Sequence, residues 1–178
     1  VPPRKDEMLR INQYYDEVIK EYNINVVLNH EFTKEEANNY DEVEAEKDRI
    51  EAMKKVYAVV LDNSEDILDN KPMIFIKTIE EPKVGGTYNS YKYGELPVIA
   101  VYTDFIDKVY EYGGTPAPWI DIAPTVTSVV VEDQIKPVST SAWFVNFVKT
   151  YRMNLTNLDV SDVTSMAYMF YIVGNAVD

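Results

Sequence analysis

The 178-residue chain contains no cysteine and a single histidine, and both shortages restrict its chemistry. Without cysteine it can form no disulfide, no thiolate nucleophile and no cysteine-ligated metal site. One histidine argues against His-rich zinc sites and against most histidine-dependent catalytic triads. No apolar run approaches the roughly 18 residues that a membrane-spanning helix needs.

Basic residues are also scarce, because 17 Lys and Arg face 30 Asp and Glu and leave a formal net charge of -13. Such a charge repels the phosphates of nucleic acids and disfavours anionic lipid surfaces. Apolar residues still make up 46% of the chain and charged residues 26%, a balance typical of globular proteins. The composition therefore predicts a folded, acidic protein without a nucleic-acid partner.

Two partial motifs lack the residues that would make them functional. His30-Glu31 resembles the start of the zinc motif H-E-x-x-H, but Lys34 replaces the second histidine. Residues 62–66 (D-N-S-E-D) start like a calcium loop, which then lacks its glycine and its final glutamate. We expect no catalytic residue, no cofactor and no metal site in this chain.

The first part of the chain alternates helical and extended patterns. Apolar spacing predicts a helix over 5–22, and the capping sequence T-K-E-E at Thr33 predicts a second helix that ends near residue 55. Apolar and β-branched runs predict strands at 24–28, 57–61, 73–79 and 98–102. This alternation predicts a small mixed α/β unit over residues 1–109.

The composition changes near G-G-T-P-A-P-W (113–119), where glycine and proline stop regular structure on both sides. Beyond this point Lys136, Lys149 and Arg152 are the only basic residues, and Ser, Thr, Val, Asn and Met dominate. We therefore expect a separate segment over residues 110–178.

An imperfect repeat lies in this second segment. P-V-S-T-S-A-W-F (137–144) aligns with V-T-S-M-A-Y-M-F (163–170) at an offset of 26, and L-x-x-L-x-V (155–160) has the spacing of a leucine-rich-repeat strand. A single coil cannot bury its own apolar edge, so such coils must stack. The expected repeat core consists of Trp143, Phe144, Leu155, Leu158, Val160, Val163, Met166, Met169 and Phe170.

Residues 119–170, with V-V-V at 129–131, S-T-S-A-W-F at 139–144 and V-T-S-M-A-Y-M-F at 163–170, resemble the BspA-like surface proteins. These are leucine-rich-repeat proteins of bacteria and some protozoa. The chain departs from the family pattern at Val138 and Val163, and Ile172-Val173 replaces the usual Gly-Cys. The resemblance implies a non-enzymatic, secreted or cell-surface protein that mediates adhesion. Its partners would be a protein or glycan on a host, matrix or other cell, together with further repeats of its own chain.

Tyrosine is abundant, with 14 residues, and Tyr88, Tyr91 and Tyr93 alternate with polar residues in a Gly/Tyr-rich segment predicted as a loop over 82–94. Exposed tyrosines would suit contact with carbohydrate or protein, because the ring is rigid and amphipathic. The alternative is that these rings cover the edge of the core, and we expect Trp119 and Trp143 to be packing residues.

The sequence as a whole predicts an α+β fold, in which the mixed α/β unit (1–109) leads into the start of a leucine-rich-repeat-like β solenoid (110–178). Because the chain begins at Val1 and stops in mid-pattern at Asp178, we interpret it as a piece of a longer protein. One alternative is a non-catalytic fragment of a secreted, metallopeptidase-like hydrolase whose active site lies elsewhere. Another is one compact α+β domain whose repeat-like tail is its last hairpin.

Overall fold

The computed structural model describes residues 34–174, with side chains from residue 44 onward. The helix predicted at 5–22, the strand predicted at 24–28, His30 and the Thr33 cap lie outside the described residues. The chain divides into two compact units, residues 1–48 and 49–178.

Helix α1 spans Lys34–Met53 and confirms the second helix that the sequence predicts. Just before the helix ends, Glu51 accepts a hydrogen bond of 2.6 Å from Lys77 Nζ and lies 2.9 Å from Lys54 Nζ. The bond from Lys77 is the main reason why the pKa of Glu51 is lowered. Since the Glu51 side chain is half exposed, water screens these ion pairs and they add little to stability.

Six strands within the described residues form one mixed sheet. Their bounds are β1 Lys55–Leu61, β2 Pro72–Thr78, β3 Thr87–Ser90, β4 Gly94–Tyr102, β5 Ser128–Val131 and β6 Arg152–Asn154. The order across the sheet is β3-β4-β1-β2-β5-β6, so β3 and β6 are edges and the sheet is not a closed barrel. Neighbours from β3 to β2 are antiparallel, whereas β2, β5 and β6 run parallel to one another.

Three predicted strands are confirmed as β1, β2 and β4, and two elements differ from the prediction. Strand β3 lies inside the segment predicted as a loop, because a tight turn with Gly94 at a φ of 72° folds 87–90 back onto β4. The strand expected at 155–160 is wrong in position, since β6 ends at Asn154 and Leu158 forms only an isolated bridge with Ile135.

The central strands are buried on both faces, as expected of strands that read as continuous apolar runs. Successive side chains point to opposite faces of a strand. On one face Val60, Phe75 and Val129 contribute to the larger core, and on the other Val59 and Ile74 contribute to a smaller one. The strand sequences therefore supply two hydrophobic layers at once.

Phe75, on β2, lies at the centre of an aromatic cluster in the larger core. Its ring stacks on Trp143 with 5.6 Å between centroids and meets Trp119 edge-on at 5.5 Å. Phe105 and Phe144 make further edge-on contacts with it. Both tryptophans are buried, which confirms their predicted packing role. Because offset-stacked and edge-on pairs add to area burial, this cluster holds the segment after residue 102 against the sheet.

The sheet and the larger core both extend across the boundary expected after residue 109. Strand β2 pairs with β5, and Phe75 packs against rings from beyond residue 110. The predicted mixture of helix and strand is confirmed, while independent folding of 1–109 and 110–178 stays a prediction.

We expect Phe75→Ala to lower the free energy of unfolding by about 3 to 5 kcal/mol, because the change leaves a cavity among rings that cannot close over it. Urea unfolding followed by tryptophan fluorescence measures the loss. Tyr91→Ala is the matched control, since its ring is 93% exposed and its removal should change stability by less than about 0.5 kcal/mol. A loss below about 1 kcal/mol for Phe75→Ala would contradict the central position of this ring.

Candidate binding surface: two stacked coils

Residues 128–147 and 152–173, called here the first coil and the second coil, run side by side in the same direction. They begin with the parallel pair β5 and β6, in which Val129 lies opposite Met153. The bridge between Ile135 and Leu158 continues the pairing, and Lys136 Nζ lies 3.0 Å from Asp162 Oδ2. The two coils are thus paired over most of their length.

A regular row of backbone hydrogen bonds joins the later halves of the coils. The donors are the N–H groups of Thr140, Ala142, Phe144 and Asn146, and the acceptors are the carbonyl oxygens of Ser165, Ala167, Met169 and Tyr171. These four bonds measure 2.9 to 3.0 Å. Thr164 N–H donates in the opposite direction to the Val138 carbonyl at 2.9 Å. Every second residue from 140 to 146 is therefore hydrogen-bonded to the second coil.

Side chains and backbone angles repeat with the spacing of this row. Ser139 Oγ donates to the carbonyl oxygen of Ser165, 26 residues further on, at 3.2 Å. Ala142 and Tyr168 both have left-handed backbone with φ of 55° and 57°, as do Asn146 and Ile172 at 67° and 57°. Left-handed φ is uncommon outside glycine, so its recurrence at the same interval means that the two coils share one backbone shape. The offset coincides with the one in the sequence alignment.

The residues predicted as a repeat core have different environments in the two coils. Trp143, Phe144 and Met169 are buried, Leu155 and Leu158 are half-buried against the larger core, and Val163 is half-buried. Val160, Met166 and Phe170 are instead exposed. The Phe170 ring stacks on Phe144 at 5.7 Å yet remains 52% exposed, because no described residue covers its other side.

The outer edge of the second coil consists of Met166, Tyr168, Phe170 and Ile172. These residues correspond, 26 positions later, to the four donors of the first coil. Their backbone N–H groups donate to no acceptor in the described part of the chain, and all four side chains are about half exposed. The first coil binds the second through N–H donors at alternate residues. The second coil has N–H donors at the corresponding residues of its outer edge.

A buried polar network fixes the start of both coils. Ser128 Oγ, on β5, donates to Asp69 Oδ1 and lies 2.9 Å from the Tyr93 hydroxyl. Arg152 Nη2, on β6, donates to the other oxygen of Asp69 at 3.0 Å. Since Asp69 is almost fully buried, the ion pair and the hydroxyl compensate the loss of water around its carboxylate. The network joins the β1–β2 loop, the β3–β4 hairpin and both coils.

The three candidate ligand-contacting tyrosines are placed differently from one another. Tyr88 and Tyr93 are half-buried against the smaller core, and burial, with the charges of Glu132 and Asp133, raises the pKa of Tyr88 to about 12. Burial also raises the pKa of Tyr93, whose hydroxyl lies 2.9 Å from Ser128 Oγ. Only the Tyr91 ring points freely into solvent. Two of the three thus cover the core edge, as the alternative interpretation expected.

An exposed aromatic group that the sequence did not predict consists of Tyr112, Tyr168 and Tyr171. The rings of Tyr112 and Tyr171 lie 4.5 Å apart, and those of Tyr112 and Tyr168 5.3 Å apart. The run Y-M-F-Y at 168–171 holds more aromatic residues than the core positions require, which is a signal for an exposed group. Its association with Tyr112 follows only from the fold.

The described residues contain no group of three His, Asp or Glu side chains arranged to hold a metal ion. Among the same residues, no helix has the length and apolar character needed to cross a membrane. Comparison with family models, with curated proteins and with solved structures finds no match for this chain.

Proposed function

We propose that residues 110–178 form the beginning of a stacked-coil, leucine-rich-repeat-like scaffold whose role is binding rather than catalysis. The observation that carries the proposal is the row of backbone hydrogen bonds between the coils, together with its repetition at the outer edge, where the N–H groups have no acceptor among the described residues. A coil that presents the same donors as its predecessor is suited to accept a successor of the same shape.

The apolar side chains of the outer edge also support a further coil. Phe144 is fully buried beneath the second coil, whereas Phe170, its counterpart, is half exposed. When a soluble protein exposes a large contiguous apolar patch, that patch commonly marks an interaction site. A third coil would give Phe170 the environment that Phe144 already has.

Adhesion is the function that this scaffold supports best. The resemblance of the segment to BspA-like surface repeats implies contact with a protein or glycan on a host, matrix or other cell. Extended stacks of coils offer long binding surfaces, and their length grows with each added repeat. We infer a secreted or surface-attached location on the same resemblance.

Duplication of residues 149–174 directly after Gly174 tests the scaffold. We expect the copy to stack on the outer edge, because it carries carbonyl acceptors for the N–H groups of Met166, Tyr168, Phe170 and Ile172, which have none within residues 34–174. NMR should then detect Overhauser contacts between the Phe170 ring and its copy, as the 5.7 Å separation of Phe144 and Phe170 predicts for the native pair.

The matched control is the same duplication with the copies of Met169 and Phe170 replaced by serine. It keeps the length and backbone of the insertion but removes the side chains that pack between coils. Random-coil chemical shifts throughout the unmodified copy, with no contact to Phe170, would contradict the proposed scaffold.

Adhesion itself is tested with beads that carry the whole 178-residue chain. We expect these beads to be retained on at least one surface among immobilised laminin, fibronectin, collagen and a mammalian glycan array, and not on serum albumin. Beads coated with the destabilised Phe75→Ala protein, assayed above its unfolding temperature, control for non-specific retention. Equal retention on every surface and on albumin would contradict the adhesive role.

A further inference from the structure

An open cavity of about 390 Å³ lies at one end of the sheet. Asn70 and Lys71 precede β2, Thr125 and Thr127 precede β5, and Lys149 precedes β6. Since these three strands are adjacent and parallel, their amino ends meet at the same edge of the sheet. The cavity is therefore built by the parallel half of the sheet, and its volume falls within the range of known ligand pockets.

Two lysines give the cavity a positive character on an otherwise acidic chain. Neither Lys71 nor Lys149 forms an ion pair with any residue in the part of the chain that the structure describes. Asp69, the nearest buried carboxylate in sequence, is already paired with Arg152. Asp66 belongs to the same loop but uses Oδ1 to accept the N–H groups of Leu68 and Asp69. The two ammonium groups are therefore available to an anionic ligand.

A hydroxyl in the lining of the cavity adds a directed donor. Thr127 Oγ1 accepts the Lys71 N–H at 3.0 Å, which leaves the hydroxyl proton free to be donated. Thr127 is buried, so this hydrogen-bond geometry is fixed by its surroundings. Ammonium groups and a hydroxyl donor that line the same cavity are complementary to carboxylate oxygens.

The rim of the cavity is apolar and unusually exposed. Ile67 is 91% exposed and Leu68 71% exposed, although both are large aliphatic side chains. The loop that carries them is held by the bonds to Asp66 and by Asn63 N–H, which donates to the Asn70 carbonyl at 2.8 Å. Aliphatic side chains held in water next to two cations suit a ligand that combines acidic and aliphatic groups.

We propose that this cavity binds an acidic peptide segment of a partner protein, with carboxylates at Lys71 and Lys149 and an aliphatic side chain against Ile67 and Leu68. The lining contains no aromatic ring on which a sugar could stack. Two lysines on a chain of net charge -13 also do not form the extensive basic surface that binding of nucleic acid requires. The pocket proposal rests on the proposed binding role, since it names a partner class for it.

NMR titration of the ¹⁵N-labelled full chain with the peptide acetyl-Leu-Glu-Glu-Leu-amide tests the proposal. We expect saturable shifts at the amides of Leu68, Lys71 and Thr127, and none with the neutral peptide acetyl-Leu-Gln-Gln-Leu-amide. The double variant Lys71→Met/Lys149→Met should bind the acidic peptide roughly tenfold more weakly or worse, which corresponds to at least about 1.4 kcal/mol.

Lys108→Met is the matched control, because it removes a positive charge at the opposite end of the sheet. Lys108 is exposed after β4, and β4 runs in the same direction as β2 because both are antiparallel to β1. This variant should bind the acidic peptide like the unmodified chain.

Three results would overturn the pocket proposal: no saturable shift at the named amides, equal binding of the neutral peptide, or unchanged binding by the double lysine variant. Tighter binding of inorganic phosphate than of the peptide would overturn the peptide as ligand. The titration needs no added coil, so its failure leaves the stacking result of the duplicated chain unaffected. Conversely, failure of the duplicated coil to stack leaves the cavity titration interpretable.

Discussion

The row of hydrogen bonds between residues 138–146 and 164–171 is the constraint on which the C-terminal half of the structure depends. It fastens alternate residues of one coil to the next and fixes their register at 26 residues. Because the register is fixed, Phe170 must lie over Phe144, and the left-handed residues must recur at equal intervals. The second coil has a corresponding row of N–H groups, which donate to no acceptor in residues 34–174.

Strand β2 connects the antiparallel half of the sheet to the two coils, because it pairs with β1 on one side and with β5 on the other. Strand β5 has parallel neighbours on both sides, so the first coil is anchored to β2 before it meets the second coil. Phe75 extends from β2 into the rings of the first coil, and Asp69 links the β1–β2 loop to the start of both coils. The acidic first half and the repeat-like second half of the chain are therefore joined by packing as well as by sequence.

Much of the fold could be predicted because its signals are local. The run 129–131 is continuously apolar and forms the buried β5. The serines and phenylalanines that align at an offset of 26 residues predict the register of the two coils. Strand β3 was missed because T-Y-N-S has no apolar alternation, and its pairing depends on the turn at Gly94. The exposure of Phe170 and the cavity beside Lys71 could not be predicted either. Both depend on which segments the fold brings together. The sequence pattern alone does not indicate which side of a coil is covered by other residues.

Amide hydrogen exchange, measured residue by residue on the unmodified chain, tests the stacked coils most directly. Two sets of N–H groups are compared: those of Thr140, Ala142, Phe144 and Asn146, and their counterparts at Met166, Tyr168, Phe170 and Ile172. The account predicts that the first set exchanges at least about 100-fold more slowly than the second. The reason is that only the first set is hydrogen-bonded within the described chain. Equal exchange rates in the two sets would contradict the account.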